Sequence, residues 1–453
     1  MPASATSSEI AQAVALGVDL AGDSRGCFRR VAPRNLRLLT CSQLFISAVG
    51  AFPLGALFDA YLLDLSNGSN TFVGLLEGLR GAVKLSLALP LGALADRAPK
   101  RSVLRLNSII GALFAACCAM ALTGDSKAVL VLAIVVWGAH SQTHEGTATS
   151  FAADCTAEGG PRTQAIARLQ AATFLGQAVA PGVQACLIPL YGANAWGHAR
   201  LKHILLLGLI GELGVCLPYL FLRSLHPDEI VALSVGATTL VAGQEASPQS
   251  AGSRGWKEET RLGWRVGLLV PVLAEAAQIV TMFGSGFTVK FLPLFFKADF
   301  GFAPAEVCVL MAAMGLCTAL YGVLIPPRLA RIAGRARAAF ATHVAACAAL
   351  YVFTTLRDWR VALPLWLIRY AAMNSVTQLS AAIVMDCVDS SSRGRWGGIV
   401  SLKAGVWSGT AFLGGMLADA TGDYRAAFLA TAGAHTVSAL VLLPVLWLVP
   451  RGY

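Results

Sequence analysis

The sequence predicts an all-α polytopic membrane protein: twelve transmembrane helices in two pseudo-symmetric six-helix bundles. Three observations carry the prediction. The composition is 56% hydrophobic and only 13% charged, with a mean hydropathy of +0.64, whereas a typical soluble chain is about 25% charged. Twelve apolar stretches reach the ~20 residues a helix needs to cross a bilayer. Short sequence elements recur at a near-constant offset between the two halves. A soluble fold of 453 residues has too little interior to hide so much apolar surface. Collagen-like, disordered and disulfide-scaffold classes fail on the same composition.

The chain opens with a polar head, residues 1–36, ending in Arg25, Arg29, Arg30 and Arg34. Acidic residues and the lack of a basic start followed by an apolar core set it apart from a signal or transit peptide. The spans follow at 38–62, 71–95, 102–123, 128–152, 165–190 and 203–223, then 266–294, 304–326, 336–356, 361–385, 397–419 and 425–449. Between the sixth and seventh lies a Gly/Ser/Gln/Pro-rich stretch, 225–264, expected as a flexible cytoplasmic linker. It divides the chain into a bundle over 37–224 and a bundle over 265–450, leaving 451–453 as a tail.

Loop charge sets the orientation. With both termini cytoplasmic, the inner segments hold 23 Lys/Arg and the outer loops 7, the bias of the positive-inside rule. The net charge of +10 is thereby explained without nucleic acid. Asn67-Gly68-Ser69 then forms an outer sequon at the membrane edge. The eleven cysteines contain no CxxC pair and read as small apolar groups, with no metal or cofactor expected.

The repeat is local but consistent. Ala153-Asp154-Cys155 with Arg162 follows the fourth span, and Met385-Asp386-Cys387 with Arg393 follows the tenth. After the second span comes Gly92-Ala93-Leu94-Ala95-Asp96-Arg97-Ala98-Pro99-Lys100-Arg101, and after the eighth a weaker echo, Gly322 to Arg328. Duplicating a six-helix unit preserves its orientation, so the halves relate by an axis along the membrane normal. With these residues the chain resembles the major facilitator superfamily of secondary transporters. Gly92, Leu94, Asp96, Arg97, Lys100 and Arg101 match that family's Gly-x-Leu-x-Asp-Arg-x-Gly-Arg-Arg loop; Pro99 stands where the family has Gly. The resemblance implies a gate in which Asp96 caps the start of helix 11 near Trp396, Gly397 and Gly398. Arg97, Arg101, Asp154 and Arg162 would cluster beside it, with Asp386 and Arg393 in the repeated position. The alternative is that these charges only enforce orientation. The resemblance also implies that helices 1, 4, 7 and 10 line a central cavity, flanked by 2, 5, 8 and 11.

Ionisable groups at membrane depth are costly and usually face a cavity or each other. On helix 4 the spacing sets Trp137, His140, Ser141 and His144 on one stripe with Glu145 at its edge. These residues suit binding of an anionic or polar solute, or proton coupling; the alternative is a hydrogen-bonded packing cluster. Helix 7 offers Glu275 and Gln278; helix 10 offers Arg369, Asn374 and Gln378. Arg369 is read as pairing with Glu275, holding a substrate anion, or snorkelling outward. Glu77 and Arg80 neutralise one another on helix 2, whereas Lys84, and likewise Lys403 on helix 11, needs a partner. Glu145, Glu77 and Glu275 are the proton-coupling candidates. Gly284 to Pro293 reads as an outer bend.

The expected function is a secondary transporter or facilitator, acting as a monomer on a small polar or anionic organic solute, with H+ as candidate coupling ion. No GxxxxGK[ST] motif is present to supply nucleotide energy. Two alternatives stand beside it: a transporter-shaped receptor or trafficking protein, and an intramembrane metalloenzyme built on His140-x-x-x-His144-Glu145. The latter lacks the HExxH order and a third ligand.

Overall fold

The computed structural model describes residues 22–156, 160–190, 196–214, 219, 221–223, 255–261, 263–387 and 402–450. In the first half α1 spans Gly22–Leu54, α2 Ala56–Leu65, α3 Asn70–Arg97, α4 Lys100–Gly124, α5 Lys127–Asp154, α6 Gly160–Leu190 and α7 His198–Gly214. The first predicted span is thus two helices. Pro53 brings no N–H to the ladder, and Gly55 turns to extended backbone at ψ −153°, so the winding stops there. A Cβ on Gly55 would lie 2.5 Å from the Ala51 carbonyl oxygen. Ser69 caps α3 by accepting from the Phe72 N–H at 3.2 Å. Pro99 takes the N-cap of α4 at φ −55°, after Ala98 at φ −106°. The turn where the family carries glycine therefore needs no left-handed residue here.

In the second half the end of the expected linker is ordered. A one-turn helix, α8 (Gly255–Glu258), leads into a hairpin of β1 (Thr260–Arg261) and β2 (Trp264–Arg265). Gly263 makes its turn at φ +75°. There follow α9 (Val266–Gly286), α10 (Leu292–Phe300), α11 (Pro304–Leu324), α12 (Pro326–Ala333), α13 (Arg335–Thr355) and α14 (Trp359–Cys387). Residues 402–409 are helical, and α15 (Ala411–Thr421), α16 (Tyr424–Leu442) and α17 (Val445–Leu448) complete the chain. The seventh predicted span is broken between α9 and α10. A Cβ on Gly286 would sit 1.8 Å from Thr410 Oγ1, so α9 ends where another helix presses onto its backbone.

Within the first half α1 packs on α6 and α7, α5 on α3 and α4, and α4 on α7; in the second, α14 packs on α9, α11 and α13, and α16 on α9 and α13. The halves meet along two seams, α6 against α11 and α3 against α15. Small residues allow the approach: Gly315 faces Ala178, Gly74 the Ala411 carbonyl, and Gly415 the Asn70 carbonyl. Among the described residues, seven helices are long and apolar enough to cross a membrane. Large apolar side chains lie bare on the periphery, among them Leu89, Ile109, Ile210 and Leu320. That surface requires lipid as its solvent, and the chain is an integral multi-pass membrane protein.

Candidate functional site

The parallel helices α3 and α5 bring two cations of one against two groups of the other. The Arg80 guanidinium lies 4.3 Å from the centre of the Trp137 ring. One turn further, Lys84 Nζ is 2.7 Å from Glu145 Oε2. Lys84 is buried, but the Glu145 side chain is 56% exposed. This pair supplies the carboxylate that Lys84 requires, and the acid is its less covered member.

The histidines of α5 behave otherwise. His140 Nδ1 is 3.2 Å from the Asn107 carbonyl oxygen, and its ring lies against Gly111. His144 sits between Gln43 Oε1, at 2.7 Å, and the Tyr219 hydroxyl. Both rings are buried. The two histidines expected to line the cavity instead form a packed, hydrogen-bonded seam toward α4 and α1. One helical step turns the next side chain by about 100°, which is why Glu145 leaves that seam.

In the second half Lys403 Nζ is 2.8 Å from Glu275 Oε2. Gln278 donates to Ser380 Oγ at 3.2 Å and accepts from the Thr377 hydroxyl at 3.1 Å. Arg369 is not the partner of Glu275, and it does not snorkel. It is 5% exposed, donates to His435 Nδ1 at 3.0 Å and lies 5.1 Å from the Trp366 ring centre. Its neighbour is α16, which carries His435. Asn374 donates to the Tyr370 carbonyl of its own helix at 2.9 Å, and Gln378 is exposed.

A third group ties the halves together at one end of the molecule, where the α2–α3, α4–α5, α10–α11 and α15–α16 turns gather. Lys290 Nζ lies 3.0 Å from Asp59 Oδ1 and 3.4 Å from Glu77 Oε2, while Glu77 also pairs with Arg80. Ser408 donates to Glu77 at 2.9 Å. The Asp419 carboxylate accepts the N–H groups of Asn70 and Thr71, at 2.9 and 2.8 Å, and both their side chains. It thereby satisfies the orphan donors at the start of α3 across the seam. Tyr424 donates to Asn70 Oδ1 at 2.7 Å, and Trp196 Nε1 donates to the Phe302 carbonyl at 2.9 Å.

Beside this joined end, on the first half, His198 bridges Asp64 Oδ2 at 2.6 Å and Asp125 Oδ1 at 3.0 Å. Lys202 Nζ is 2.7 Å from Asp125, and the Tyr61 hydroxyl donates to it at 2.9 Å. Hydrogen bonds from Lys202 and His198 hold the Asp125 carboxyl down at about 2. Burial pulls His198 downward, but the two carboxylates outweigh it and raise its pKa.

Of the expected gate residues, Arg97 is exposed and Arg101 half-buried. Gly92, Asp96, Asp154, Arg162 and Asp386 lie on helices, but their side chains fall outside the described residues. Arg393 and 396–398 fall outside them entirely. Sequence reasoning missed Asp59, Asp419 and His435. Asp59 lies within a predicted span, so depth alone was signal enough.

No family profile matches the sequence, and no curated protein does. Solved structures match over almost the whole chain. The nucleoside transporter NupG (as a mutant) is 16% identical, with a TM-score of 0.64 and coverage of 90% of this chain and 99% of that one. A D-xylose-proton symporter is 14% identical, with a TM-score of 0.66 and coverage of 92% and 98%. A bacterial homolog of the human lysosomal transporter Spinster, inward-facing and occupied, is 16% identical, with a TM-score of 0.62 and coverage of 91% and 96%. The chain has the major facilitator fold.

Proposed function

We propose that the protein is a secondary transporter that moves a small polar or anionic organic solute by alternating access, coupled to protons. The observation that carries this reading is the division of its intramembrane charges. Lys84–Glu145 and Lys403–Glu275 each stay within one half, at 2.7 and 2.8 Å. Lys290 instead spans both halves, toward Asp59 and Glu77, at the joined end. Rocking one half on the other breaks the second kind of contact and spares the first. The structures it is similar to include a nucleoside transporter and a proton symporter for D-xylose, which supports the class.

In this reading the twelve spans form six-helix bundles over 37–224 and 265–450. Residues 1–36, 225–264 and 451–453 lie in the cytoplasm, so the joined end faces outward and is a closed outer gate. Glu145 is the first proton-coupling residue: it is the exposed member of a carboxylate–ammonium pair, and Lys84 competes with a proton for it. Glu275 and Glu77 follow.

The test has two stages. A thermal-shift screen of sugars, nucleosides, dipeptides and carboxylates on the detergent-purified protein identifies a binder, because a ligand of the native state raises its melting temperature. Uptake of that binder is then measured in proteoliposomes with and without an imposed pH gradient. Wild type is expected to accumulate it when the outside is acidic; Glu145→Gln is expected to equilibrate it without gradient-driven accumulation. Uptake no faster than in empty liposomes removes transport. Intact gradient-driven accumulation in the variant removes the Glu145 assignment.

A further inference from the structure

The end of the molecule opposite the joined end carries a basic patch that the transport reading does not use. α11 runs from Pro304 at the joined end to Leu324, breaks at Ile325, and continues as the eight-residue α12 before α13 turns back from Arg335. Arg328, Arg331, Arg335 and Arg337 fall within ten residues, and no acidic residue occurs anywhere from 307 to 357. Arg328, Arg331 and Arg335 are exposed. Neither Arg328 nor Arg331 makes an ion pair among the described residues. Arg328 and Arg331, at i and i+3, share one side of α12, and Arg335 opens α13 just beyond the turn at Gly334, φ +80°.

The same short helix has an apolar side. Leu329 and Ala330 pack onto the cluster of Ala338, Ala339 and Leu379. Ile332 is 84% exposed, and the bare surface continues up α11 through Leu324, Val323 (71%) and Leu320 (62%). α12 therefore joins two membrane-spanning helices, anchors one face on the protein, and presents a bare isoleucine beside uncompensated arginines. An exposed isoleucine continuous with a lipid-facing helix belongs at acyl depth. Guanidinium groups beside it then sit at the level of phosphates, which they bind by forked hydrogen bonds.

We infer that α12 is a docking site for the headgroups of anionic phospholipids in the leaflet at this end. The lipid bridges the end of α11 and the start of α13. Because α11 forms one of the two seams between the halves, a headgroup held there bears on the helix that must shift when they rock. The site rests on the membrane-spanning fold alone and stands whether or not the protein transports.

The test uses the full-length protein purified in detergent. Native mass spectrometry counts retained dioleoylphosphatidylglycerol against dioleoylphosphatidylcholine, with inorganic phosphate as the free-anion arm. Wild type is expected to keep phosphatidylglycerol in preference to phosphatidylcholine and to gain nothing from phosphate. A basic side chain near an anionic surface contributes about fivefold in affinity, so R328Q/R331Q is expected to bind about thirtyfold more weakly. R357Q/R360Q, at the joined end, is expected to bind as wild type. Should the glutamine pair fold poorly, R328K/R331K keeps the charge and is expected to retain the preference, while I332S weakens it. Equal phosphatidylglycerol retention in wild type and R328Q/R331Q, equal loss in R357Q/R360Q, or no preference over phosphatidylcholine overturns the inference.

Discussion

His198 is a clear case of one side chain whose geometry dictates its charge. A carboxylate contacts each ring nitrogen. Only the imidazolium has two donors, so the bridge exists in full only when His198 is protonated. The sign follows. Its folded pKa is raised above the ordinary 6.5, so the stabilisation is complete below that ordinary value and is lost as pH rises through the raised one. Asp125 works in reverse, held at about 2: its contribution is present above its ordinary value of 3.8 and disappears only as pH falls toward 2. Of these two groups, only His198 loses its contribution as pH rises above 6.5. The melting temperature of wild type is expected to fall over that rise relative to His198→Gln. The groups are a third or more exposed, so the difference stays at or below about 1 kcal/mol, read as a shift of about 2 °C by scanning fluorimetry. Parallel curves for the two proteins would show that the bridge stabilises nothing.

Individual residues also mark where sequence reading reaches its end. Glu145, Lys84 and Lys403 were legible as costly intramembrane charges in need of partners, and partners are what they have. Periodicity identified the face that His140 and His144 share, but a period names no neighbour. That this face meets α4 and Gln43 and not a cavity depends on how α5 rotates against α1 and α4. Arg369 fails for the same reason: its partner His435 is 66 residues away, at a separation no local pattern encodes.

Among the elements, α9 and the segment over 402–410 test the role of close approach. A side chain on Gly286 would meet Thr410 Oγ1 and, at 2.2 Å, the Trp407 carbonyl. Both belong to a packed segment that cannot yield cheaply. Gly286→Val is expected to cost about 1–3 kcal/mol or more, seen as a lower melting temperature and broadened elution. Gly433, with open space where its Cβ would go, is the matched control, and Gly433→Ala is expected to be harmless. Similar losses in both would show that the α9 contact is not tight. Seven of the predicted spans coincide with helices that, among the described residues, are long and apolar enough to cross a membrane, because apolar length dominates them. The break after Gly286 falls within the bend expected over Gly284 to Pro293, whereas the break at Gly55 was not legible, because it lies in apolar sequence. A kink there becomes visible only when the opposing backbone is known.

At the scale of the whole molecule the contacts between halves gather at one end, and that makes the closed state testable without a substrate. Cys308 is 0% exposed and lies at this seam, its thiol 3.8 Å from Gln184 of the other half. In wild type it is expected to resist a membrane-impermeant maleimide. Asp419→Asn combined with Lys290→Gln removes the charge from both ties. A hydrogen bond to a charged group is worth about 1.5–3 kcal/mol, so labelling of Cys308 is expected to rise about tenfold or more. Peptide mass spectrometry locates the label, and unchanged labelling of Cys308 would mean that these ties do not keep the end shut.

The Asp419 grip on the first residues of α3 also sets the scale of movement. A 28-residue helix is about 42 Å long, so its end lies some 20 Å from its centre. Widening that end by about 4 Å, enough to part every bond Asp419 makes, takes a tilt near 10° about the middle. A lever that long turns a modest lean into an open doorway, with no helix unwound.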